Sequence, residues 1–271
     1  LAGALGIVII LLFLHDNTES KGLPPIEVIA GEKTAEEYAA THEQDALNAA
    51  EAAKAARRET KQLQAKVIKN PGVWILALSS AFMYMSRYAI NEWGTIFLQE
   101  TKGYDLAAAA ALIGINPIFG IIGTVVSGWL SDVVFKGDRK YPAFVAGILE
   151  AVALGLFLFG PAAKWCTVVS MVLFGIAIGV LISFIGGLMA VDLVPRKATG
   201  AALGIVGMAS YAAAGLQNVV TGVLLDSRPL IENAAGAMVH DFSAVRWFWL
   251  GAAIISFVLP VLNWKRKPQE F

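Results

Sequence analysis

Long apolar stretches alternate with short polar segments over most of the 271-residue chain. A helix needs about 17–25 mainly apolar residues to cross the hydrocarbon core of a bilayer, and six stretches are long enough. They cover approximately residues 73–98, 107–131, 142–161, 165–191, 198–225 and 246–264. The pattern predicts an all-α polytopic membrane protein in which residues 73–264 form a six-helix bundle.

The first 72 residues have a different character. Residues 1–14 are apolar but too short to span a bilayer, so we interpret them as the end of a preceding transmembrane helix. Residues 15–72 contain a polar turn and a run rich in Ala, Glu, Lys, Gln and Arg, a composition that favours helix without an apolar face. We expect a solvated connector there. Because the chain opens inside an apolar run, we also expect it to be the C-terminal piece of a larger protein.

The composition supports the membrane class and narrows the chemistry. Hydrophobic residues make up 57% of the chain and charged residues 15%, against roughly 45–50% and 25% in soluble domains. The net charge of zero gives no reason to expect nucleic acid as a partner. The single cysteine, Cys166, excludes an intrachain disulfide, and the sequence has neither Cys/His metal spacing nor an intramembrane nucleophile–base pair. We therefore expect no enzyme, no metal and no cofactor.

Basic residues predict the orientation in the membrane. Lysine and arginine are concentrated in alternate connecting segments and at the C-terminus, at Lys136, Arg139, Lys140, Arg196, Lys197, Lys265, Arg266 and Lys267. Such segments lie in the cytoplasm by the positive-inside rule. The connector 15–72 and the tail 265–271 are therefore predicted to be cytoplasmic, in a multi-pass protein of the inner (plasma) membrane.

An arginine, Arg87, lies inside the first apolar stretch. A charge at the centre of a membrane helix costs roughly 2.5–3.5 kcal/mol on insertion scales. Helical spacing places Arg87 on one face with other polar residues, namely Tyr84, Tyr88, Asn91 and Thr95. The opposite face, which includes Phe82 and Met85, is nearly all apolar. The arrangement predicts the lining of a pathway, with a fixed cation at mid-depth.

Several short motifs resemble one transporter family. The loop with Gly128, Asp132, Gly137 and Arg139 is similar to the motif G-x-x-x-D-x-x-x-x-G-x-R of the major facilitator superfamily. Three further segments resemble the organophosphate:inorganic phosphate antiporters of that superfamily, namely His15–Glu27, Tyr84–Gly94 and Asp192–Gly200. The combination, in this order, is more specific than the loop motif alone.

The resemblance implies a twelve-helix membrane protein built from two bundles. This chain would hold the end of the sixth helix and the whole C-terminal bundle. Family members exchange a sugar phosphate or glycerol phosphate for inorganic phosphate by rocking the bundles about a central site. The N-terminal six-helix half is implied to supply a second essential arginine, so we expect this chain to need that half as a partner in the bilayer.

The resemblance also implies substrate contacts. Arg87 matches the family's substrate arginine, and Tyr84 and Tyr211 match two tyrosines of the site. A guanidinium offers bidentate hydrogen bonds to phosphate oxygens and stays charged when desolvated. The alternative for Arg87 is a structural ion pair, for example with Glu92, and the alternative for the tyrosines is packing.

Helical phase and polarity add further candidates for the substrate site, namely Tyr88, Asn91, Asn116 and Gln217. Pro117 predicts a kink beside Asn116, since proline removes one backbone hydrogen bond. Each of these candidates has a packing role as its alternative. Glu150 lies in a predicted outer helix, where we expect a helix–helix hydrogen bond or a protonated acid rather than a substrate contact.

Two functions follow from this interpretation. The first is a secondary antiporter that exchanges an organic phosphate for inorganic phosphate. Val180 lies where the similar glycerol-phosphate transporters carry a tyrosine, which argues against glycerol 3-phosphate as the substrate. The segments Asn91–Gly94 and Glu100–Leu106 resemble the hexose-phosphate branch of the family, which favours a hexose phosphate. The second is a membrane sensor of sugar phosphate with the same fold, acting on a histidine kinase. The same site residues would serve both functions, so both remain open.

Overall fold

The computed structural model describes most of the C-terminal four-fifths of the chain. The described residues are Thr34, 49–136, 138–233 and 236–263. Several predictions concern residues outside this set, namely the helix end at 1–14, most of the connector before residue 49, Gly137 of the loop motif and the tail 265–271.

The chain divides into two compact units, Leu1–Glu59 and Thr60–Phe271. A first helix, α1, covers Ala49–Ile68. Six more helices among the described residues are long and apolar enough to cross a membrane: α2 Pro71–Lys102, α3 Leu106–Val134, α4 Lys140–Phe159, α5 Lys164–Asp192, α6 Thr199–Asp226 and α7 Ser243–Leu262. The predicted class, an all-α polytopic membrane protein, is confirmed.

Local capping explains where the helices begin and end. The Asn70 side chain accepts a hydrogen bond of 2.8 Å from the Gly72 N–H, which satisfies a free donor at the start of α2. At the end of α2, Gly103 adopts a left-handed conformation with φ of 71°, which glycine tolerates without a Cβ clash. The Asp105 carboxylate then accepts 2.9 Å from the Ala108 N–H and starts α3.

The segment between α6 and α7 contains a short antiparallel hairpin, β1 Ile231–Glu232 with β2 Met238–Val239. Arg228 and Asp241 form an ion pair of 2.7 Å across the base of this segment. Hydrogen bonds from Ser243 and Arg228 hold the pKa of Asp241 at about 2, so the carboxylate is charged at neutral pH. His240 Nδ1 lies 2.9 Å from Glu100 and joins the segment to α2.

Three of the long helices contain a π turn, namely Ala89–Trp93 in α2, Leu130–Val134 in α3 and Phe184–Leu188 in α5. A π turn places one extra residue in a helical turn and occurs frequently at functional sites. The first one directly follows Arg87 and Tyr88. It interrupts the regular spacing from which the polar face of this helix was predicted.

The buried face of α2 agrees only in part with the predicted apolar face. Of the predicted face, Ala89, Ile90 and Phe97 are fully buried, whereas Phe82 and Met85 are partly exposed. Three serines, Ser79, Ser80 and Ser86, are also fully buried on this helix.

The packing order around the bundle is α3, α5, α4, α7, α2 and α6, each packed against the next. Aromatic rings fill the core near the C-terminal end of α2. The Phe97 ring centroid lies 5.2 Å from that of Phe157 and 5.3 Å from that of Phe242. Trp249 joins the same group at 6.3 Å from Phe97. This cluster anchors α2 against α4 and α7.

The contact between α3 and α5 depends on glycine. A Cβ atom at Gly123 would lie 2.3 Å from the Ile176 carbonyl oxygen, and one at Gly179 would lie 2.2 Å from the Gly120 carbonyl oxygen. A Cβ at Gly175 would similarly lie 2.4 Å from the Asn116 carbonyl oxygen. Both helices thus meet backbone to backbone, as small residues permit in membranes.

We expect Gly123→Ala to destabilise the bundle by roughly 1–3 kcal/mol, because the added methyl group meets a backbone carbonyl that cannot rotate away. Gly155→Ala in α4 is the matched control, since nothing lies within 4 Å of its Cβ position. Thermal unfolding in detergent measures both. Equal melting temperatures for the two variants would contradict the close contact of α3 and α5.

Candidate functional site

Arg87 lies on α2 just before the π turn and is half-buried. Its guanidinium carbon is 5.5 Å from the ring centroid of Tyr84 and 5.6 Å from that of Tyr88, within the range of cation–π contact. Among the described residues, Arg87 forms no ion pair with a carboxylate. Glu92, the partner considered from the sequence, is exposed in the π turn.

Tyr211 reaches the same place from α6. Its ring centroid lies 5.4 Å from that of Tyr84 and 6.5 Å from that of Tyr88. The hydroxyl oxygens of Ser80 and Ser210 are 2.8 Å apart and fix α2 against α6 directly beside Tyr211. The structure thus brings Tyr211 of α6 to Tyr84 and Tyr88, which helical spacing had placed together on α2.

A groove of about 430 Å³ extends from Arg87 along the junction of α3 and α5. Its polar end is formed by Arg87, Asn91 and Asn116, and the Asn116 amide donates 3.0 Å to the Asn91 side-chain oxygen. The rest of the lining is mainly apolar and comprises Pro117, Gly120, Ile121, Thr124, Val125, Ile178, Gly179 and Ile182. The groove therefore has one cation, two amides and an apolar wall.

The shape of the groove follows from the glycine contact of α3 and α5. Gly120 and Gly179 line it, and Thr124 donates its hydroxyl to the Gly120 carbonyl at 3.0 Å. A second groove of about 420 Å³ shares Thr124 and Ile182 with the first and extends toward Gly128. The two grooves form a path along α3 away from Arg87.

Gln217 does not join this site. Its side chain is fully buried, and its amide donates 2.9 Å to the Thr221 hydroxyl oxygen. The same oxygen accepts 3.0 Å from the Trp249 indole N–H, which links α6 to α7. Gln217 thus lies in the bundle interior, outside the lining of the groove, and its role in the substrate site stays a prediction.

Val180 also lies away from the groove. It is buried in α5, whereas its neighbour Gly179 lines the groove. Asn91 and Asn116, whose direct contact the sequence did not reveal, are the two amide side chains that line the groove.

The loop motif lies at the other end of the bundle. Gly128 and Asp132 are exposed, and Arg139 forms an ion pair with Asp192 at the end of α5. Arg139 also donates 3.3 Å to the Leu188 carbonyl oxygen. Local spacing could not predict this pair, because its members lie 53 positions apart in the sequence.

A buried polar cluster behind α2 was only partly foreseen. Glu150 in α4 is fully buried and contacts the hydroxyl groups of Ser86 and Ser256. Ser79 donates to the Ser256 carbonyl oxygen in the same region. The helix–helix hydrogen bond expected for Glu150 is present. Its partners, Ser86 and Ser256, could not be identified from the sequence, where they differ from other residues only in being small and polar.

The sequence profile of the Major Facilitator Superfamily matches residues 1–218. This match covers most of the chain, which therefore belongs to the Major Facilitator Superfamily. The family predicted from the motifs is confirmed. Together with the six apolar helices, membership makes this a multi-pass membrane protein.

Curated relatives narrow the comparison. The chain is 32% identical over 236 residues to the membrane sensor protein UhpC of Salmonella typhimurium, covering 79% of this chain and 46% of the relative. It is 31% identical over 266 residues to a probable hexose phosphate transport protein of Chlamydia trachomatis, covering 95% and 53%. It is 31% identical over 231 residues to the glycerol-3-phosphate transporter of Bacillus subtilis, covering 80% and 47%. The chain spans about half the length of these relatives.

We expect Arg87→Gln to raise the melting temperature in phosphate-free detergent. Two cation–π contacts of roughly 0.5–1 kcal/mol each do not offset the roughly 2.5–3.5 kcal/mol cost of a charge in an apolar bundle. The net gain of about 1 kcal/mol corresponds to roughly 2–4 °C. Arg139→Gln is the control, since it breaks the ion pair with Asp192 and should not stabilise. A comparable loss of stability in both variants would mean that Arg87 has a stabilising anionic partner.

Proposed function

We propose that this chain forms the substrate-binding bundle of a secondary transporter for organic phosphates. The observation that carries the proposal is Arg87, a half-buried guanidinium at the end of a groove of about 430 Å³ with no carboxylate partner among the described residues. A cation in such a place favours an anionic ligand, and the guanidinium fork matches the oxygens of a phosphate group.

The surroundings of Arg87 divide into two parts. Tyr84 and Tyr88 lie beside the guanidinium and Tyr211 packs on both of their rings, so the three hydroxyls can donate to the oxygens of a bound phosphate. Asn91 and Asn116 lie at the groove side, where their amides can bind sugar hydroxyls. The groove volume is within the roughly 300–1,000 Å³ of small-molecule sites. A sugar phosphate fits a site with phenols and a guanidinium at one end and amides at the other. We propose a hexose phosphate as the preferred substrate.

The relatives support the same substrate class. Two of the three are named for transport of hexose phosphate or glycerol 3-phosphate, and the third is named as a membrane sensor. We therefore propose transport, in which the substrate crosses the membrane without any covalent change. Because the chain spans about half of each relative, we propose that a second six-helix bundle closes the groove and completes the site.

Exchange with inorganic phosphate follows from the unpaired arginine. When the empty site closes, the half-buried cation would lose its remaining water without gaining a counter-ion, which is unfavourable, so the empty transporter should change conformation slowly. Binding of phosphate compensates the charge and permits the return step. We propose operation in the bacterial plasma membrane, with the Arg139–Asp192 end of the bundle in the cytoplasm, as the distribution of basic residues predicts.

The direct test uses the complete gene product in proteoliposomes loaded with phosphate. Uptake of labelled glucose 6-phosphate should require internal phosphate and should fall about 10- to 100-fold in Arg87→Lys, because charged hydrogen bonds of roughly 1.5–3 kcal/mol are lost with the guanidinium fork. Arg228→Lys is the control, since a lysine there retains its charge next to Asp241.

The outcomes separate the possible functions. Equal uptake in Arg87→Lys and wild type would show that Arg87 is structural. Stabilisation by glucose 6-phosphate without uptake would instead support the sensor. Uptake that is equally fast without internal phosphate would rule out obligatory exchange. Faster uptake of glycerol 3-phosphate than of glucose 6-phosphate would identify glycerol 3-phosphate as the preferred substrate.

Asn91→Ala tests the sugar side of the groove. We expect the KM for glucose 6-phosphate to rise about 5- to 30-fold, the effect of losing a hydrogen bond of roughly 1–2 kcal/mol, while inhibition by inorganic phosphate stays within about twofold. Asn218→Ala is the matched control, because Asn218 binds the Trp93 indole outside the groove. Parallel losses for both ligands would place Asn91 at the phosphate instead.

A further inference from the structure

The buried cluster around Glu150 lies directly behind the arginine helix. Ser86, which contacts Glu150, immediately precedes Arg87 on α2. Ser256 of α7 contacts the other carboxyl oxygen at 3.2 Å. Glu150, Ser86 and Ser256 are all fully buried. The carboxyl group therefore connects α4, α2 and α7 at the level of the proposed anion site.

Counting protons defines the form of this carboxyl group. Each serine hydroxyl has one proton to donate. Ser86 Oγ lies 2.8 Å from the Met83 carbonyl oxygen, and Ser256 Oγ lies 2.7 Å from the Ala253 carbonyl oxygen. Carbonyl oxygens only accept, so each hydroxyl proton is shared between a carbonyl oxygen of its own helix and the Glu150 carboxyl group. A proton on the carboxyl group would let Ser86 donate fully to Met83 while accepting from Glu150.

The charge environment agrees with this count. Among the described residues, no lysine, arginine or histidine forms an ion pair with Glu150. A buried carboxylate without a cation is strongly disfavoured, whereas a neutral acid can donate to Ser86 and accept a share of the Ser256 proton. The neutral form satisfies every polar atom of the cluster.

The support behind Glu150 is rigid. A Cβ at Gly147, one turn away on α4, would lie 2.1 Å from the Phe257 Cβ, so α4 and α7 touch closely here. Ser79 also ties α2 to the Ser256 carbonyl oxygen. In contrast, α2 itself contains the π turn Ala89–Trp93 next to Arg87, where the spacing of the backbone hydrogen bonds changes.

We propose that Glu150 is a positioning residue which, as a neutral acid bonded to Ser86, sets the rotation of α2 and so directs Arg87 into the groove. Ser86 faces the interior while Arg87 lines the groove, so a turn of α2 about its axis moves both. The role in binding rests on the proposed function, because it concerns the same anion site at Arg87.

The test compares Glu150→Gln with Glu150→Leu in the complete gene product. A glutamine amide can still donate to Ser86 and accept from Ser256, so the Kd for inorganic phosphate should stay within about threefold of wild type. Leucine has a similar size without polar atoms, and the Kd should rise about tenfold. If Glu150→Leu does not fold, Ser86→Ala removes the same contact with a smaller change.

A second readout reports position without phosphate. Arg87→Cys is combined with each Glu150 variant, and the rate of modification by 2-sulfonatoethyl methanethiosulfonate is measured; the native Cys166 is buried. We expect Glu150→Leu to change this rate about threefold or more, and Glu150→Gln to leave it unchanged. Leu106→Cys at the exposed start of α3 is the control, and its rate should not respond to either variant.

Each outcome bears on the proposal. The neutral acid would be overturned if Glu150→Gln weakened phosphate binding as much as Glu150→Leu does. It would also be overturned if Glu150→Gln bound phosphate more tightly than the wild type. Unchanged phosphate binding and unchanged modification in Glu150→Leu would overturn the positioning role. Glu150→Leu could change the modification rate while phosphate binding is unaffected even by Arg87→Gln. This result would support the positioning of α2 by Glu150 and would contradict the proposed anion site at Arg87.

Discussion

The structure depends on one constraint, an arginine charge inside an apolar bundle without a carboxylate partner among the described residues. Such a charge is unfavourable in the resting protein, and two tyrosine rings compensate it only in part. The bundle must therefore hold Arg87 in place by other contacts. It does so from the inner face of α2, where Ser79, Ser80 and Ser86 each bind a neighbouring helix.

These contacts use small side chains. Serine hydroxyls and glycine backbones bring helices close without filling the space beside them, as at the junction of α3 and α5. The larger aromatic residues are collected near the C-terminal end of α2, around Phe97 and Trp249. The bundle thus has a tightly filled aromatic end, while the groove occupies a region built from glycine, proline and branched aliphatic residues.

Much of the fold could be predicted from the sequence, because six apolar stretches of membrane length leave few alternatives. Arg87 was identifiable from its charge alone, and Tyr211 through a family resemblance. The neighbours of each helix were not predictable in the same way. In a membrane both the lipid-facing and the protein-facing sides are apolar, so periodicity does not indicate which side packs. For this reason the buried position of Gln217 and the partners of Glu150 and Arg139 were not predictable.

The π turn of α2 has a consequence for the comparison of relatives. Such a turn holds one residue more than an α-helical turn, while the helix on either side keeps its faces. A relative that lacks one residue between Ala89 and Trp93 would close this turn as ordinary α-helix and still pack Arg87 and Phe97 as seen here. Evolution can therefore change the length of this helix at the groove without altering the bundle. Residues beyond Arg87 should be matched between relatives by their place in three dimensions, since counting along the chain from the arginine assigns the wrong equivalents whenever the lengths differ.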